Sequence, residues 1–150
     1  MTQRRWATAA LALLGFAIAA YLTLYQLGAY GDVWDPIFGH GSLTVLDLTS
    51  PVPDAAAGVV AYALEVGLSL AGGPDRERRS PWIVLAFGAI IASGGVVSVV
   101  LIVVQATIAG EWCTLCLVSA ALSFALLAVG GPEVPPALRT VRERRARSAF

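Results

Sequence analysis

Cys113 and Cys116 are the only cysteines of the chain, three residues apart in Trp112-Cys113-Thr114-Leu115-Cys116. If a helix starts near Trp112, both sulfurs fall on one of its faces, and Cα atoms at that spacing lie within disulfide reach. Such a pair opens and closes with little backbone movement. Cys113 would stand in the first turn, where orphan N–H groups and the helix dipole favour a thiolate, and nearer the surface, so it is expected to be the more reactive and accessible thiol. This is thiol–disulfide redox chemistry in outline. A CxxC in an apolar helix also reads as packing by two small hydrophobes, so the surrounding elements decide between the two.

Those elements are membrane elements. Hydrophobic residues make up 57% of the 150, and the mean hydropathy is +0.75, too apolar for an ordinary soluble domain. Ten arginines balance ten acids and lysine is absent, so the net charge is zero and selects no partner. One histidine and scattered acids do not supply zinc-ligand spacing, so no metal is expected.

Four apolar runs follow one another. Residues 6–27 cross a ~30 Å hydrocarbon core as one helix; Ala17, Ile18 and Ala19 resemble a cleavage site, but the run continues to Tyr25, which reads as an uncleaved signal anchor. Residues 28–53 break the pattern with Gly, Asp, Pro and Ser. Because Trp34, Ile37 and Phe38 are apolar, this loop is expected to lie over the bundle as a cap. His40, between two glycines, reads as a turn residue or as a proton relay beside the cysteines. Asp54 is placed to N-cap a second span over 55–71, with Gly72-Gly73-Pro74 as its stop. Glu65 falls inside that span, and an ionisable group at such depth is a functional candidate, including for a transport role. After a charged loop over 75–79, Trp82 anchors a third span over 82–106. Its small residues Gly88, Ala92, Gly95 and Ser98, with Val99, allow close helix approach. The fourth span, 112–129, carries the cysteines and is ended by Gly130-Gly131-Pro132. A basic tail over 133–150 completes a reading of one transmembrane domain over 1–132, an all-α integral membrane four-helix bundle with an extracytoplasmic capping loop.

Arginines number two before the first span, three between the second and third and five after the fourth, with none in the other connections. The positive-inside rule then puts both termini in the cytoplasm of a multi-pass cell-membrane protein, and the cysteines near the outer face. That is the compartment where disulfides form. A pair embedded there has a lipid-soluble quinone within reach as electron acceptor.

These residues resemble the vitamin K epoxide reductase family, a four-helix membrane bundle with a CxxC at the outer start of its fourth helix. The motif at 112–116 carries the resemblance. Val45-Leu46, Thr49-Ser50, Pro53, Gly58 and Ala61-Tyr62 look like the family's passage into the second helix. The resemblance covers roughly 6–129. It implies catalysis by Cys113 and Cys116, with Cys116 facing a quinone of the menaquinone or ubiquinone type and Cys113 facing the thiol donor. It also implies a quinone site for which Trp112, Asp54 and Phe38 are the candidate contacts. The family usually adds two cysteines in the first outer loop, where this chain has none over 34–42. Its quinone-bonding asparagine is here Asp54, and a tyrosine after the motif is Ala120. The resemblance therefore implies a quinone-linked oxidoreductase whose CxxC exchanges directly with an extracytoplasmic thioredoxin-like or other thiol protein. The alternative is a non-catalytic membrane binding or assembly protein that retains the fold.

Overall fold

A computed structural model of the chain describes residues 2–48 and 53–150. Thr49 and Ser50 of the resemblance lie outside the described residues. Among those residues every regular element is helical: α1 (Gln3–Gln26), α2 (Gly41–Asp47), α3 (Ala55–Leu70), α4 (Arg76–Arg79), α5 (Pro81–Val104), α6 (Thr114–Gly130) and α7 (Val134–Ser148). A π turn over Gln105–Ala109 extends α5, and Gly110 then leaves it in the left-handed region at φ 65°.

Four of these helices pack in a ring, α1 against α3 and α6, and α5 against α6 and α3. Three helices are long and apolar enough to cross a membrane: Gln3–Gln26, Pro81–Ala109 and a continuous Thr114–Ser148. At 16 residues, α3 is the short one; with 1.5 Å of rise per residue it is ~24 Å long. Outward faces are apolar on all four, as Leu13, Leu64, Val96 and Phe124 show. Inside, Ala12, Ala19, Tyr62, Phe87, Ile91 and Leu126 form the core. Lipid tails are as apolar as leucine, so such helices associate through close packing and interhelical hydrogen bonds rather than through exclusion of water. Gly95 shows the first, since a Cβ there would collide with Leu127 Cδ1. The phenol of Tyr62 shows the second: it meets the Ser119 carbonyl at 2.8 Å and the hydroxyls of Ser119 and Ser123 at 2.9 and 3.0 Å.

Several sequence expectations need correction. The inward face of α5 runs through Gly88, Ile91, Gly95 and Ser98, whereas Ala92 and Val99 face outward. Gly130-Gly131-Pro132 does not stop the fourth helix. One 3-10 turn over Gly131–Glu133 carries it into α7, because proline lacks a donor that the first turn of a helix does not need. The segment after 133 is thus a helix packed on α4 and α5, with Ala137 fully buried. The charged loop contains the one-turn α4, and Arg76 within it is buried.

Candidate active site

Cys113 and Cys116 form a disulfide with Cα atoms 5.2 Å apart. Cys113 is not in the first turn. It is the N-cap of α6, in an extended conformation, and its sulfur accepts the Cys116 N–H at 3.2 Å. The sulfur stands where Ser, Thr or Asp usually caps a helix, so the same N–H donates to any charge that develops on it. Gln105, buried on the π turn, accepts the Cys113 N–H at 3.0 Å through Oε1. An extra residue per turn at the end of α5 is a common device at functional sites. Here it positions the side chain that fixes the backbone of the first cysteine.

Above the disulfide the loop is held by a carboxylate. Asp35 accepts the N–H groups of Ile37 and Phe38 at 2.9 and 2.8 Å, an Asx turn at Asp35-Pro36. It also accepts the hydroxyl of Ser42. From α6, 79 residues away in sequence, it accepts the Thr114 N–H at 2.9 Å and the Thr114 hydroxyl at 2.5 Å. Partial burial pushes the Asp35 carboxyl up, but the hydrogen bonds from Ser42, Thr114 and Phe38 outweigh it and hold the group well below the usual carboxylate range. An anion at the first N–H groups of α6 also suits the dipole. Gly41 completes the contact: a Cβ there would lie 2.7 Å from the Trp112 carbonyl oxygen.

This clamp buries Cys113 completely, at 0% exposure, and leaves Cys116 half-buried, which reverses the expected accessibility of the two thiols. The expected cap residues also change. Trp34 and Ile37 are 70% and 72% exposed, and Phe38 is exposed as well. The inward residues are Val33 and Leu46, which pack on Leu22 with Leu115 and Cys116 against them. His40 is exposed, with no side-chain capping bond.

Cys116 forms part of the wall of a cavity of ≈ 330 Å³ between α1, α2, α3, α5 and α6. Its lining is mostly aliphatic, with Asp54, Tyr62, Glu65, Gln105, Ser119 and Ser123 among the polar members. Of the three residues expected to contact a cofactor, Asp54 lines this cavity, while Trp112 and Phe38 do not. Asp54 occupies the N-cap position of α3 without capping it. Its carboxylate instead accepts from Gln26 Nε2 at 2.5 Å, and Gln26 Oε1 takes the Ala55 N–H at 3.1 Å.

A sequence model of the vitamin K epoxide reductase family matches residues 6–130, most of the chain and all of this site. The chain belongs to the vitamin K epoxide reductase family. Membership makes it a membrane thiol–disulfide oxidoreductase of a quinone-linked family, and the disulfide at the start of α6 is where that family's motif falls. No curated protein matches the chain at a significant level. Within the family frame, Asp35, Ser42, Thr114 and Gln105 are residues that sequence reasoning missed. Asp35-Pro36 followed by two free N–H groups is a turn signature that could have pointed to the first. Gln105 is a buried amide in an otherwise apolar run, by the same logic that drew attention to Glu65.

Proposed function

We propose that the chain oxidises the thiols of an extracytoplasmic thiol protein and passes the electrons through Cys113 and Cys116 to a membrane quinone of the menaquinone or ubiquinone type. The observation that carries this reading is the position of the disulfide, with one sulfur under a loop and the other in the wall of an apolar cavity within the bundle. Such a cavity suits a quinone ring: its aliphatic wall takes the ring faces, and its few polar groups are available to the carbonyl oxygens. A bound quinone accepts two electrons and two protons. Cys116 faces that site, and Cys113 exchanges with the thiol donor once the loop moves aside, because no loop cysteine is present to relay electrons.

The bundle spans the membrane four times, α3 included, with both termini in the cytoplasm. Eight exposed arginines, Arg4, Arg78, Arg79, Arg139, Arg142, Arg144, Arg145 and Arg147, support this orientation. A reporter fused after Phe150 that is active only outside the cell would overturn it.

The redox state of Cys113 and Cys116 in intact membranes, with and without depletion of quinone, tests the reading. Quinone depletion should leave the pair reduced. A pair that stays oxidised in both conditions favours the second reading, a non-catalytic binding or assembly protein with a structural disulfide, which the complete burial of Cys113 supports.

A further inference from the structure

The thiol chemistry above leaves one buried acid unused. Glu65 lies within α3 at 2% exposure and lines the cavity. Its Oε1 and the Ser123 hydroxyl stand beside the bare face of Gly94, 3.7 and 3.8 Å from where a Cβ would be. Its Oε2 has no hydrogen-bond partner and, among the described residues, is the sole buried side-chain oxygen or nitrogen in that condition. Among the described residues no cation pairs with it. The ion pair among the described residues joins Arg76 to Glu133, and the Arg5 guanidinium is spent on the carbonyls of Ser69, Leu70, Ala71 and Gly72. A charged carboxylate so placed is costly, and the neutral acid would carry an O–H that, among the described residues, no acceptor receives.

We propose that Glu65 donates that hydrogen bond, and in turnover the proton, to a carbonyl oxygen of the quinone that occupies this cavity. The inference rests on the quinone-linked reading above. A quinone carbonyl is an acceptor only, which matches an unsatisfied donor, whereas aliphatic lipid would leave the donor unmet. Hydroxyls that would carry a replacement proton lie on the same wall. On α6, Ser119 and Ser123 stand one and two turns beyond Cys116, and the Tyr62 hydroxyl joins them at 2.9 and 3.0 Å. Three hydroxyls thus lead from the turn after the reacting sulfur to the niche that Glu65 shares with Ser123. Two S–H bonds break and one S–S bond forms when the pair is oxidised, which releases two electrons and two protons. Glu65 gives its proton to one quinone oxygen and recovers one of the thiol protons along the hydroxyls. The other thiol proton goes to the second oxygen. Asp54, Tyr62 and Cys116 are the other titratable groups facing this cavity. Asp54 is engaged with Gln26 and Tyr62 with the two serines, so neither offers an uncommitted donor.

The test uses the full chain in lipid nanodiscs with a short-chain menaquinone analogue as probe. Glu65→Gln keeps a hydrogen-bond donor but cannot deliver a proton, and Glu65→Leu removes both. The analogue should bind Glu65→Gln about as well as wild type and Glu65→Leu about tenfold more weakly. In a single turnover from the pre-reduced state, Glu65→Gln should slow disulfide formation roughly 100-fold, the usual worth of a general acid. Infrared difference spectra should show a protonated-carboxyl band in wild type that shifts when the analogue is added and is missing from Glu65→Gln. If both variants bind the analogue and form the disulfide like wild type, or if the wild-type band is missing or unmoved by the analogue, the proposal is overturned while the quinone-linked reading stands. If the wild-type dithiol is itself not oxidised by the analogue, both fall.

Discussion

The two ends of the bundle solve opposite electrostatic problems with opposite side chains. At the end where α6 begins, one carboxylate, Asp35, gathers donors from its own loop, from Ser42 and from Thr114. At the end where α3 stops, two arginines gather carbonyls. Arg5 donates to Ser69, Leu70, Ala71 and Gly72, and Arg76 donates to Leu68, Ser69 and Ala71 and pairs with Glu133 at 2.5 Å. A helix leaves orphan N–H groups at its start and orphan C=O groups at its end, and each is met by the charge that suits the dipole there. The difference is in what the charge holds. Both arginines are buried plugs in a fixed scaffold, whereas Asp35 is partly exposed and holds a loop over a reactive disulfide. The same capping chemistry ties two helix ends together on one side and a loop to a helix start on the other.

The comparison breaks most sharply if either cysteine proves dispensable. Cys116→Ser should reduce dithiol oxidation to background and leave Cys113 to accumulate mixed disulfides with a thiol protein, detectable on non-reducing gels. Cys113→Ser should lose activity without such adducts. At the arginine end, Arg76→Ala strands Glu133 and the Leu68 carbonyl, while Arg5 still serves Ser69 and Ala71, and an unfolding titration of the purified protein should show a loss of about 3 kcal/mol. A comparable loss of quinone-dependent activity beyond the unfolded fraction would contradict the purely structural role.

Asp35→Asn sharpens the other side. It keeps the shape but turns an acceptor into a donor facing the Thr114 N–H, at a cost of about 1–3 kcal/mol. It should raise maleimide labelling of Cys113 in the reduced protein, and with Cys116→Ser it should raise the yield of partner adducts. Because the folded-state pKa of Asp35 is depressed, its stabilisation is fully present above the ordinary value of 3.8 and is lost as pH falls below it towards the folded value. Protonation should therefore not weaken the clamp across the physiological range, and loop opening by acid, followed by labelling, should appear only below about pH 4. The smallest effect is expected from Gly41→Ala. The added methyl meets the Trp112 carbonyl, and an overpacking cost of about 1–2 kcal/mol should appear as faster labelling of Cys113 with little change in quinone affinity.

Hydropathy made the four apolar helices and the position of the CxxC legible, because a membrane selects long uncharged runs and the chain has only two cysteines. Arginine counting was half informative. It treated all ten as markers of orientation, yet Arg5 and Arg76 are interior hydrogen-bond donors, indistinguishable by sequence from the eight exposed ones. Asp35 has a local turn signature, but its contact with Thr114 lies 79 residues away on α6, and no local pattern announces that partner. Trp34 and Ile37 drew attention as apolar, although at a membrane surface an exposed ring is as natural as a buried one. Proline after Gly130-Gly131 suggested a stop, but at the head of a new turn it continues the helix.

The arginine plug also sets an order of events during biosynthesis. Arg5 and the carbonyl of Ser69 are 64 residues apart, and at roughly 5–20 residues per second the ribosome needs about 3–13 s to make the stretch between them. For that interval the first helix has its guanidinium and no carbonyls to receive it. At the end of its helix the guanidinium can stay hydrated through that interval, so this end of the α1–α3 contact closes only after the carbonyls of Ser69 to Gly72 have been made.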